Sequence, residues 1–217
     1  MADVIGLEKK LAHFQYRPLF HLDESWLNEL PECHQLSVIP LWRENATLNQ
    51  YFIQHYQDSL VLQTEQSSLL QLEYFSSSDL YCFLKILGAV LHGHAIQKIV
   101  LKNERQKLIE CLDKQVYQFA STQFRFLLKE WPTDWSMELP KVGWDEHYFV
   151  LSGLRFLMVF VDNHRKIPQH LFFKLPYTVY DSYDKPLNLK PGQRVLANLF
   201  IKKIVKRMMP QCFHLFE

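Results

Sequence analysis

The stretch from Ser76 to Gly93, SSSDLYCFLKILGAVLHG, fits one regular structure. Leu80, Phe83, Leu84, Leu87, Val90 and Leu91 recur at intervals of three and four. That spacing winds them into one wide stripe on an α-helix and would scatter them over both faces of a strand. Ser77 or Ser78 supplies a helix cap, Asp79 places an acid in the first turn, and Gly93 suits the position just past a helix end. A helix this apolar needs other elements to cover it. Only six of the 217 residues are Gly, too few for the tight turns of a sheet-rich fold. The expected class is mainly α: a single compact helical domain over residues 1–217, with room for one small β-hairpin.

The rest of the chain fits that frame. Val4 to Phe14 is a short helix ended by Pro18, and Asp23 or Ser25 caps a turn of helix through SWLNEL. Pro40 demotes LSVIPLW to an edge or irregular piece. Asn45 to Tyr56 carries Leu48, Phe52 and Tyr56 on one helical face. Leu60 and Leu62, then Leu70 and Leu72, alternate as hairpin arms around Gln66–Ser67. AIQKIVLKNERQKL resumes the helix after Gly93. A long helix then keeps Leu108, Leu112, Val116, Phe119, Gln123, Phe126 and Leu127 on one side. A buried helix is expected from about Asp145 to Asp162, followed by PQHLFFKLP as a short extended or helical piece and YTVYDSYDKPLNLKPG as a loop. The last helix runs from about Gly192 to Met209, with Val195, Leu196, Leu199, Ile204, Val205 and Met208 inward.

Charge and cysteines exclude several function classes. A net charge of +1 is far from the strongly basic balance of a nucleic-acid binder, so protein partners are expected. Cys33, Cys82, Cys111 and Cys212 have no zinc-type spacing and read as reduced thiols. MADVIGLEKKLAHF lacks the apolar core of a secretory signal. The run from Tyr148 to Val161 is too short to span a bilayer and contains Arg155. The expected location is the cytoplasm.

His92-Gly93-His94 is the most conspicuous candidate for chemistry. Residues two apart on a helix point roughly 200° apart, so both histidines could bind one metal only if the backbone leaves the helix at Gly93. A third ligand would still be needed, and the other histidines form no H-E-x-x-H pattern. A metal-dependent hydrolase using His92 and His94 therefore stands as an alternative to a simple helix break. No P-loop, G-x-G-x-x-G or G-x-S-x-G is present; Ser152 lies in a buried helical pattern. No cofactor is expected.

The last helix offers Lys202, Lys203, Lys206 and Arg207 as adjacent cationic rows opposite its apolar stripe. They fit an acidic protein partner, an anionic membrane surface, or a merely solvated face that suits a helix C-terminus. Trp42, Trp131, Trp135, Tyr177, Tyr180 and Tyr183 lie in poorly periodic segments as candidate interface anchors. For the tryptophans, loops capping the core is the preferred reading.

Three colinear segments resemble the SctK family (YscK, PscK, MxiK, OrgA), accessory proteins of the type III secretion sorting platform. The first is LAHFQYRPLFHLDESWLNELP, where Phe14, Pro18, Ser25 and Trp26 match. Asp23 replaces the family's usual His, and Phe20 or His21 takes the place of its Tyr. The second is LGAVLHGHAIQKIVL with CLDKQVYQFA, matching at Leu87, Gly88, Ala89, Gly93, Ile96, Tyr117, Phe119 and Ala120. Asp113 stands where the family has Gly. The third is SGLRFLMVFVDNHRKIPQHLFFKLP, like a family helix followed by a Lys-Leu-Pro element. The ending QCFHLFE is also family-like, with Phe213 where Trp is usual.

The resemblance implies a non-enzymatic adaptor at the cytoplasmic face of the bacterial inner membrane. It would contact an SctD-like ring protein and an SctQ-like pod protein, and through the pod an SctL-like stator and SctN-like ATPase. It implies no catalytic residues, while the charge and the short apolar run predict no nucleic acid and no membrane span.

Overall fold

Short polar side chains start these helices by accepting amide N–H groups that no helical carbonyl reaches, at about 1 kcal/mol each. Asp23 Oδ1 accepts from Ser25 N (3.0 Å), Asn45 Oδ1 from Leu48 N (3.1 Å) and Ser76 Oγ from Asp79 N (3.1 Å). Asp113 Oδ1 accepts from Val116 N (2.9 Å) and Asp145 Oδ1 from Tyr148 N (2.8 Å). The computed structural model describes residues 17–30, 39–60, 70–141, 143–159, 169–190 and 193–216. Its α-helices are α1 (Ala46–Leu60), α2 (Ser77–Leu91), α3 (Gly93–Lys98), α4 (Lys102–Leu112), α5 (Lys114–Gln118), α6 (Glu146–Val159), α7 (Gln169–Phe173), α8 (Tyr177–Asp181) and α9 (Arg194–Met208). Short 3₁₀ segments include Pro18–His21, Glu24–Asn28, Leu70–Tyr74 and Pro210–Phe216. The fold is mainly α, with no strand among the described residues.

The structure corrects several expectations. Leu60 ends α1, and Leu70 and Leu72 sit in a 3₁₀ segment, so neither lies on a hairpin arm. The expected turn at Gln66–Ser67 and the helix from Val4 to Phe14 lie outside the described residues. The α2 cap is Ser76, one residue earlier than expected; its hydroxyl also donates to Asp79 Oδ2 (2.6 Å). The expected long helix breaks at Asp113, whose φ of +64° belongs to the region that favours glycine. Beyond it the helix widens into a π turn (Phe119–Gln123) and then tightens into a 3₁₀ turn (Phe124–Phe126), and Phe124 takes the buried place while Phe126 is exposed. The expected loop after Pro176 begins as α8, a helix too short for periodicity to reveal.

The chain divides into two compact units, one of residues 1–80 and 162–182, the other of 81–161 and 183–217. In the first, Trp26 Nε1 donates to Leu175 O (2.8 Å), and Ser25 Oγ accepts from Tyr177 N (2.7 Å) while donating to Asp23 Oδ1 (2.7 Å). The family-like Ser-Trp pair thus fastens the 3₁₀ turn Glu24–Asn28 to the start of α8. Asn49 is buried and fully used: its carbonyl accepts from Leu19 N and its amide donates to Arg43 O and Asn45 O. Lys174, of the Lys-Leu-Pro element, is 1% exposed and donates to Phe75 O (2.9 Å), as burial of a charge demands.

The second unit is organised by a crossing of α2 and α6. A Cβ on Gly88 would fall on the Phe149 carbonyl, and one on Gly153 on the Leu84 carbonyl. The two backbones touch, which no residue with a side chain would permit at either place. The family-like Leu-Gly-Ala and the Ser-Gly-Leu of α6 meet there. Trp135 is fully buried against Phe156 (4.8 Å between ring centres) and Phe200 (5.4 Å), and Trp131 packs on Phe124 and Phe200. These two tryptophans cap the core, as the sequence favours.

Candidate functional site

Helix α9 buries Ala197, Phe200, Ile201, Ile204 and Val205. Val195 and Leu199, expected inward, are 82% and 46% exposed. The reason is register. Val195 lies seven residues ahead of Lys202, and Leu199 seven ahead of Lys206, about two helical turns in each case, so they share the cations' side of the helix. That spacing was the signal available in the sequence. Lys206 and Arg207 are exposed, while Lys202 and Lys203 are half-buried, as long side chains are when their stems lie along apolar surface. Lys206 Nζ lies 5.2 Å from the centre of the Phe213 ring. Both Lys206 and Arg207 fall in the last turn, where the helix dipole favours cations.

The candidate tyrosines fall in different units. Tyr180 belongs to the first. It is 41% exposed, and its ring packs on Trp26 (5.0 Å) and Phe172 (5.3 Å). Tyr177 also packs on Trp26 (5.1 Å). Trp42 is half-buried beneath the Arg43 guanidinium (4.5 Å). Tyr183 belongs to the second unit with the four cations. It is half-buried, and burial pushes its phenol up from the usual value. Its neighbour Asp184 pairs with Arg155 (2.7 Å), which explains the arginine inside the apolar run of α6.

His92 and His94 diverge. His92 is fully buried, with Nδ1 3.2 Å from Met137 O and Nε2 3.3 Å from Ser152 Oγ. A carbonyl only accepts, so Nδ1 carries the proton and Nε2 faces the serine hydroxyl. Burial pushes the imidazole down to about 4, so the ring is neutral at pH 7. Both nitrogens are engaged within the core. His94 stacks edge-on against Phe124 (4.7 Å), and burial, then Arg125 and Lys98, lower its pKa. Among the described residues no three His, Cys, Asp or Glu side chains cluster as metal ligands. Gly93 opens α3 without a positive φ. Its role is close approach, since a Cβ there would meet Ala120 O at 2.7 Å and the Phe124 ring at 2.8 Å.

Comparison with known proteins bears on the whole chain. A family model described as YOP proteins translocation protein K (YscK) matches residues 10–217. Two curated relatives, each called Yop proteins translocation protein K, come from Yersinia enterocolitica and Yersinia pseudotuberculosis serotype I (strain IP32953). Each is 30% identical over 219 residues, covering 97% of this chain and 100% of the relative. A solved structure, described as the cytoplasmic domain of the T3SS sorting platform protein PscK from P. aeruginosa, shares the fold. Its TM-score is 0.65 at 22% identity, over 94% of this chain and 97% of that one. No described helix is long and apolar enough to cross a membrane.

Proposed function

The chain belongs to the YscK family of Yop translocation proteins, and from that membership we propose that it is a non-enzymatic adaptor of a type III secretion sorting platform. It acts at the cytoplasmic face of the bacterial inner membrane. There it joins the cytosolic domain of an SctD-like ring protein to an SctQ-like pod, and through the pod to an SctL-like stator and an SctN-like ATPase. The observation that carries this reading is the family match over residues 10–217, in which the relatives are covered end to end. The description of PscK as a sorting platform protein supports it. In this reading the two units work as one SctK-like domain over residues 1–217.

Adaptor chemistry needs exposed contacts on a well-packed body. Lys202, Lys203, Lys206 and Arg207 supply a cationic face, and Tyr180 and Tyr183 supply aromatic anchors. Docking of each partner would bury about 1,200–2,000 Å² in total. The test is affinity capture of the tagged chain from a secreting strain, with deletion of its gene in parallel. Recovery of the SctQ-like and SctD-like proteins and loss of secretion are expected. Recovery of neither, with secretion intact in the deletion strain, sinks the proposal.

A further inference from the structure

The solvent face of α9 carries two chemistries laid end to end. Val195, Leu199, Lys202 and Lys206 follow one another at steps of four, three and four, which sets them in a line down the helix. The first half of that line is apolar, with Val195 82% and Leu199 46% exposed. The second half is cationic, and Lys203 and Arg207 widen it on one flank. Phe213 extends the patch beneath Lys206. Among the described residues no carboxylate lies within ion-pair distance of Lys202, Lys203, Lys206 or Arg207.

We infer that this face docks an acidic amphipathic helix of a partner protein. The partner's apolar side chains would sit on Val195 and Leu199, and its carboxylates on Lys202, Lys203, Lys206 and Arg207. The inference rests on the adaptor reading and supplies the chemistry of one of its contacts. Charge complementarity selects the occupant, because four cations without carboxylate neighbours attract an anionic surface. A membrane fits less well. A helix lying on a bilayer keeps apolar residues on one face and cations on the other along its length. In α9 the two share one face, and the opposite face, with Phe200 and Ile204, is buried in the protein. A second copy fits no better: parallel pairing would oppose cation to cation, and antiparallel pairing would set Val195 against Lys206.

The test measures binding of the full chain to three probes: the purified SctQ-like protein, the purified cytosolic domain of the SctD-like protein, and phosphatidylcholine vesicles with and without phosphatidylglycerol. Lys202→Glu with Lys206→Glu should weaken binding to one of the two proteins by about tenfold or more and flatten its salt dependence. Val195→Ser with Leu199→Ser should weaken it by about tenfold and leave the salt dependence in place. If the glutamate pair does not fold, Lys202→Gln with Lys206→Gln takes its place. A protein partner that binds wild type and both variants equally overturns the inference and leaves the adaptor reading standing. Failure of wild type to bind either protein removes both. Vesicle binding that the lysine changes abolish, with protein binding unmoved, overturns the inference in favour of a lipid surface. Self-association of wild type that the variants lose overturns it in favour of a second copy.

Discussion

Helices α2 and α9 are each 15 residues long, and apolar spacing alone reads them the same way, yet they spend their apolar residues differently. In α2 every member of the stripe from Leu80 to Leu91 is fully buried, and Gly88 lets the α6 backbone lie directly against the helix. In α9 the buried arc is filled by Phe200, Ile201, Ile204 and Val205, which leaves Val195 and Leu199 over, facing water beside the lysines. Both patterns satisfy the same hydrophobic periodicity. The difference lies in surplus: α2 has no apolar side chain to spare, and α9 has two. A surplus on a solvent face is where an interaction surface is to be sought.

The largest blow to this contrast would come at Gly88. Gly88→Val drives a side chain into a carbonyl that cannot move aside, and should cost about 4 kcal/mol or more, enough to leave little folded protein. A folded variant with a normal urea midpoint would break the picture of touching backbones.

His92, just past the end of α2, sharpens the contrast through pH. Its folded value near 4 lies below the 6.5 of an unfolded histidine, so the unfolded chain binds the proton more readily between them. The associated stability is complete above about pH 6.5 and is lost on acidification toward pH 4, by roughly 2–3 kcal/mol. Urea titrations of wild type and His92→Gln at pH 7 and pH 4.5 should show that excess acid loss in wild type alone.

A smaller effect is expected at Asp113, which reaches Lys85 of α2 (3.7 Å) and caps α5. Asp113→Ala loses the cap and keeps the unfavourable φ, for about 1–2 kcal/mol. Asp113→Gly loses the cap but relieves the backbone, and should stay within about 1 kcal/mol of wild type. Equal losses in the two would remove backbone strain from the account. The smallest effect belongs to α9: Val195→Ser with Leu199→Ser should shift stability by no more than about 0.5 kcal/mol in thermal melts, whatever it does to binding.

What was legible in the sequence follows from the same physics. The α2 stripe, the cap at Asp23 and the buried α6 could be read because local chemistry and tertiary need agree there. The break at Asp113 stayed hidden because aspartate is rarely placed at such a backbone angle; only the family's glycine at that position hinted at it. Val195 and Leu199 face water and not the core because register sets them in line with Lys202 and Lys206. The cationic rows were visible as a pattern, while the placement of Tyr180 and Tyr183 in different units depends on a chain path that returns to the first unit after α6. No local spacing records that return.

The glycine crossing also bears on the order in which the chain assembles. Gly88 and Gly153 are far apart along the sequence, and everything from α3 to the start of α6 lies between them. The closure of that long loop carries an entropic cost before any contact repays it. Helix α2 can form early from its own cap and stripe, whereas the crossing must wait for α6 to arrive. Destabilising changes at the crossing should therefore accelerate unfolding far more than they slow folding, which makes these two glycines a latch on the lifetime of the folded state.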